Sequence, residues 1–108
     1  MITKDVFLKI IEINQRNDSN TDLLRNIGIY IIDSPFNEDL YFLTNYIISK
    51  EYNKEGLDWF SWWLYELPMM KEKHDSKEHF AYNEDGTPII LDTPEQLYEF
   101  LEENYKNE

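Results

Sequence analysis

Leu57-Asp58-Trp59-Phe60-Ser61-Trp62-Trp63-Leu64-Tyr65-Glu66-Leu67 is the stretch on which the fold turns. At about 100° per residue, Leu57, Phe60, Leu64 and Leu67 fall on one helical face, with Trp63 at its flank. Trp59 lies further round, and Trp62 points well away from Leu57. Only Asp58, Ser61 and Glu66 are polar. A helix so apolar on every side is either central to a core or half-buried against a partner. The sequence leaves both readings open: a core helix, or one in which Trp62, with Trp59 or Tyr65, anchors an interface or a homodimer through the Trp59–Trp62 side. Pro68 is expected to stop this helix, because proline lacks the N–H that would continue the ladder.

Working outward, the N-terminal segment reads as a helix over about 4–15, capped by Thr3, with Val6, Phe7, Ile10, Ile11 and Ile13 recurring at three and four residues. Ser19 or Asn20 can cap a second helix carrying Leu23, Leu24, Ile27, Tyr30 and Ile31. Asp33-Ser34-Pro35 breaks the chain. A third helix follows, with Glu38 and Asp39 at its start, Leu40, Leu43 and Ile47 on its buried face, and an end before Asn53. Beyond Pro68, Lys71 to Glu78 is charged and aperiodic and reads as a loop. His79 to Tyr82 and Pro88 to Asp92 read as short strands joined through Asn83-Glu84-Asp85-Gly86, whose Asp-Gly pair suits a hairpin turn. The last helix has the strongest start signal: Thr93 as cap, Pro94 at the first position, Glu95, and Gln96 three residues after the cap. The expected architecture is α+β and mainly helical, with about five helices and one C-terminal β-hairpin, in a single compact domain over 1–108.

The totals narrow the function. No cysteine is present, which removes disulfides, thiolate nucleophiles and cysteine-type zinc sites. No apolar run approaches the roughly 20 residues of a membrane helix, and Met1-Ile2-Thr3-Lys4-Asp5 lacks the pattern of a signal peptide, so a cytoplasmic location is expected. The formal net charge of −12 argues against nucleic acid as a direct ligand and against anionic membranes. By sign, the natural partner is a basic protein surface; the plain alternative is that acidity serves only solubility.

The charge is uneven. Between Glu78 and Glu108 stand nine acids and one base, Lys106. Within the last helix Glu95, Glu99 and Glu102 or Glu103 share a face, about 6 Å apart along the axis for each four residues. Like charges so placed cost a few tenths of a kcal/mol per pair. Stability does not select such a row; a basic groove that ordinarily holds phosphates would, although a solvated helix face is the alternative. The candidate partner-binding residues are therefore Glu84, Asp85, Asp92, Glu95, Glu99, Glu102 and Glu103, with Trp62 and Tyr98 as aromatic anchors.

No catalytic, cofactor or metal site is expected. His74 and His79 are five apart, not at the four-residue spacing of a helical zinc motif, and the reversed motif is missed by one residue. Three scattered glycines support no phosphate loop, and the Asn83–Gly86 turn is too short for a calcium loop.

Gly56 to Glu66, followed by Asp85-Gly86-Thr87 and Thr93 to Leu101, resembles small acidic orphan proteins encoded by bacteriophages. The resemblance covers about the second half of the chain. It implies an accessory role of the anti-defence kind, in which anti-CRISPR proteins and DNA mimics recur, acting in the host cytosol. No functional residue is carried over, because that class shares no motif. The expectation is an acidic inhibitor that blocks a basic nucleic-acid-binding surface of a host defence protein. The alternatives are an immunity protein that neutralises a basic toxin and a phage homo-oligomeric adaptor that uses the tryptophan-rich helix.

Overall fold

The computed structural model describes residues 3–16, 40–74 and 79–107. Helix α1 (Lys4–Gln15) begins where Thr3 accepts a hydrogen bond from the Val6 N–H at 3.3 Å, satisfying one of the free donors of its first turn. It buries Phe7, Ile10, Ile11 and Ile13. Helix α2 (Leu40–Glu51) buries Leu43, Thr44, Ile47 and Ile48 and leaves Tyr41 and Phe42 exposed. The expected second helix and the Asp33-Ser34-Pro35 break lie outside the described residues.

Helix α3 is a rod in three stretches: an α-helical Lys54–Ser61, a π-helical turn Trp62–Glu66, and an α-helical Leu67–Lys73. Asn53 caps it through its side chain, which accepts from the Gly56 N–H at 2.9 Å. The expectation that Pro68 ends the helix is overturned, as is the loop reading of Lys71–Lys73. The Leu67 N–H reaches back five residues to the Trp62 carbonyl, and this wide turn opens the ladder just where proline supplies no donor. Pro68 thereby sits in the first turn of a fresh α-helical stretch, the place where its missing N–H costs least.

The C-terminal β-hairpin, and with it the α+β class, is also corrected: among the described residues there is no strand, and the fold is mainly helical, with four helices. The turn itself forms. Gly86 adopts φ 88°, its N–H donates to the Asn83 carbonyl at 3.0 Å, and the Asp85 carboxylate accepts from both the backbone N–H and the hydroxyl of Thr87. One isolated bridge, Tyr82 to Pro88, follows. Asn83 N–H donates to the Thr87 carbonyl and Ile89 N–H to the Ala81 carbonyl, each at 2.8 Å, but no ladder grows beyond these bonds, and the Leu91 carbonyl is taken by the Trp63 indole N–H at 2.7 Å. The segment is held to α3 by that bond and by burial of Ala81 and Leu91, not by a neighbouring strand.

Helix α4 (Pro94–Asn104) starts with the full reciprocal cap: Gln96 N–H to the Thr93 hydroxyl, and Thr93 N–H to the Gln96 side chain. It buries Leu97 and Leu101. Phe7 of α1, fully buried, meets α3, α4 and Tyr52, the residue that follows α2. Its ring meets Tyr52 edge-on at 6.3 Å, Phe60 edge-on at 5.7 Å and Tyr98 at 5.2 Å. A polar clamp crosses the same core. The Asn14 side chain donates to the Thr44 hydroxyl at 2.9 Å and accepts from the Tyr65 hydroxyl at 3.1 Å, tying α1 to α2 and α3.

Candidate interaction surface

The outer face of α4 follows from its inner one. With Leu97 and Leu101 fixed in the core, Glu95, Glu99 and Glu103 are turned to solvent in a row of i, i+4 neighbours. The row runs about 12 Å along a rigid helix. None of the three has an ion pair with a described residue. Glu95 also stands in the first turn, where a carboxylate is favoured by the helix dipole.

Glu102 is not part of that row. It turns toward α2, where one oxygen accepts the Tyr52 hydroxyl at 2.9 Å and the other meets the Lys106 ammonium at 3.1 Å. Burial, then the bond to Glu102, holds the Tyr52 phenol far above the ordinary tyrosine range. The same carboxylate raises Lys106. Tyr98, expected as an external anchor, packs inward on Phe7 and is half-buried; burial followed by Glu102 raises its phenol too. These residues fasten α4 to α2.

A second surface lies on α3. Trp59 is its joint: the indole N–H donates to the Tyr105 hydroxyl at 3.1 Å, and the ring makes edge-to-face contacts with Phe100, centroids 5.1 Å apart, and with Trp62, centroids 5.7 Å apart and the two rings at 88°. The strip Phe100–Trp59–Trp62 therefore runs from α4 onto α3. Phe100 lies about 60° round α4 from Glu103, so the strip borders the carboxylate row. Beside the strip an open groove of about 440 Å³ is lined by Glu55, Asp58, Trp59, Trp62 and Phe80. An adjoining groove of about 460 Å³ shares Asp58 and Trp62 and adds Tyr41, Ser61, Tyr65 and Glu66. Among the described residues, no lining residue of either groove is basic.

No protein-family model, curated protein or solved structure matches this chain.

Of the nine residues singled out from sequence, Glu95, Glu99 and Glu103 are brought together. Trp62 stands half-exposed on the neighbouring helix, while Glu102 and Tyr98 are diverted to the α2–α4 contact. Asp92 is exposed just ahead of the α4 cap, its backbone N–H held by the Gln96 side chain at 2.7 Å. Glu84 and Asp85 are exposed in the separate turn, where the bonds from Thr87 hold the Asp85 carboxyl below the usual range. Glu55, Asp58 and Phe80 were missed from sequence. The pairing of Glu55 with Trp59 and of Asp58 with Trp62, each four apart, is the signal that places two acids beside two indoles on one helix face. The His74 ring packs against Phe80 at 5.9 Å, and no metal-ligand cluster occurs among the described residues. No helix among the described residues is long and apolar enough to cross a membrane.

Proposed function

We propose that this chain is a binding protein rather than a catalyst, and that it occupies a basic, nucleic-acid-binding surface of another protein, as an inhibitor of the anti-defence type would. The observation that carries the reading is the solvent-facing row Glu95, Glu99 and Glu103 on α4, which has no ion pair among the described residues. Three carboxylates at intervals of about 6 Å on a rigid rod present negative charge in the manner of a phosphate backbone, already ordered before contact. Isolation from bases costs stability and is useful when a cationic counterpart supplies the missing charge. The net charge of −12 adds long-range attraction toward such a counterpart. The reading now rests on three carboxylates of α4 in place of the larger acidic set, since Glu102 is satisfied by Lys106 and Tyr52.

The test is capture of partners from a host lysate at low and high salt, with wild type and with the Glu95→Gln, Glu99→Gln, Glu103→Gln triple variant. The captured basic protein should be released by salt, lost from the triple variant and displaced by its own nucleic acid. Circular dichroism should be unchanged, because all three side chains lie outside the core. A partner retained by the triple variant, or one indifferent to salt, overturns the reading.

A further inference from the structure

The acid row accounts for charge but not for the tryptophans beside it. Trp59 and Trp62 meet at 88°, so their rings form two walls of a corner rather than a flat patch. Trp59 is fixed in place from behind by Tyr105 and Phe100. Glu55 and Asp58 sit one helical turn before the two indoles and line the same groove, and neither has an ion pair with a described residue. Glu55 in the first turn of α3 also suits the helix dipole, but that accounts for neither Asp58 nor the half-exposed indoles.

An aromatic corner rimmed by carboxylates has a definite complement. A cation is drawn to the faces of the indoles, and a carboxylate at the rim takes its hydrogen bonds. Arginine fits better than lysine. Its guanidinium is planar, stacks on one wall while its edge abuts the other, is weakly hydrated, and forks onto a carboxylate. We infer that the groove between Trp59, Trp62, Glu55 and Asp58 receives an arginine side chain of the basic partner. The inference rests on the function proposed above and adds the residue type that the partner presents. On this division of labour, α4 supplies attraction that any cation feels, and the α3 corner selects arginine.

Defined probes test this without knowledge of the partner. Acetylated hexa-arginine and hexa-lysine peptides would be titrated into the ¹⁵N-labelled protein while the three indole N–H resonances are followed. The arginine peptide should bind about two- to fivefold more tightly than the lysine peptide. The Trp62 resonance should move, while that of Trp63, buried and bonded to Leu91, stays in place. Trp62→Ala should bring the two affinities together, and Asp58→Asn, which leaves the aromatic walls and the fold intact, should narrow the gap. The α4 triple variant should weaken both peptides alike yet keep the arginine preference and the Trp62 movement. Equal affinity for the two peptides, or a Trp62 resonance that does not move, overturns the arginine corner. Unchanged affinity of the α4 triple variant overturns the acid row instead, so the two failures are distinct. A wild-type protein that light scattering finds dimeric, with Trp62 buried in the dimer, also overturns the inference.

Discussion

Replacing Gly56 by alanine ought to stabilise an ordinary helix by about 1 kcal/mol, since glycine is the poorer helix former. Here the same change is expected to destabilise. A Cβ at position 56 would stand 2.7 Å from the Tyr105 Cβ and 2.9 Å from the Tyr52 Cβ, whereas carbon atoms in contact sit at about 3.5–4.0 Å. Neither neighbour is a flexible side-chain end. Tyr52 is 1% exposed and wedged against Phe7, so the 105–107 segment must yield. Three bonds depend on that segment: Asn53 N–H to the Tyr105 carbonyl at 2.8 Å, Asn107 N–H to the Glu51 carbonyl at 2.9 Å, and the Trp59 indole to the Tyr105 hydroxyl at 3.1 Å. At about 1 kcal/mol each, their loss outweighs the propensity gain and leaves a net cost of about 2 kcal/mol. In urea, with a slope of about 2 kcal/mol per molar, the midpoint should fall by about 1 M at constant slope. In a Tyr105→Gly background, where the nearer obstacle is gone and the 2.9 Å approach to Tyr52 remains, the same substitution should cost less. A midpoint that is unchanged or raised in Gly56→Ala refutes the close-approach argument.

Phe7→Ala should cost about 3–5 kcal/mol in the same assay, because its ring is the contact shared by Tyr52, just after α2, and by residues of α3 and α4; a cost below about 2 kcal/mol would contradict that role. Asn107→Ala should cost about 1 kcal/mol and raise amide exchange near residues 49–52, since the Asn107 side chain donates to the Ser49, Lys50 and Tyr52 carbonyls at the end of α2. Tyr52 makes the fold sensitive to alkali. Below about pH 10 its phenol is neutral folded and unfolded; above it the unfolded chain gives up the proton first, so stability falls by about 1.4 kcal/mol per pH unit. Lys106, whose pKa is also raised, contributes in the same direction as pH climbs past the ordinary lysine value. Urea midpoints of Tyr52→Phe between about pH 9 and 11.5 should show a shallower decline than wild type, and an identical decline would remove Tyr52 as its source.

What the sequence made legible is what depends on near neighbours. Thr93, Pro94 and Gln96 encode the α4 start within four residues, and the reciprocal cap is there. Asp85 and Gly86 encode their turn equally locally, through the glycine's positive φ and the bonds to Thr87. What flanks that turn was not local: the Leu91 carbonyl goes to Trp63, 28 residues away in sequence. The acid row was legible for Glu95, Glu99 and Glu103, whose spacing sets their face. The contact of Glu102 was not legible, because its partner Tyr52 lies 50 residues away and spacing carries no trace of it. Proline at 68 gave the wrong helix end because the rule against it holds for a regular α-helix, and α3 leaves that geometry just before it.

That departure has a consequence for how α3 tolerates change. A π-turn carries one residue more than an α-turn of the same span, so Trp62–Glu66 holds a surplus position. Excising one residue there would tighten the rod into an unbroken α-helix and put the Pro68 ring against the carbonyl four places earlier. Exchanging only the proline would leave a loosened turn with nothing to accommodate. The two oddities fit each other: the surplus residue makes room for the proline that a regular α-helix would exclude.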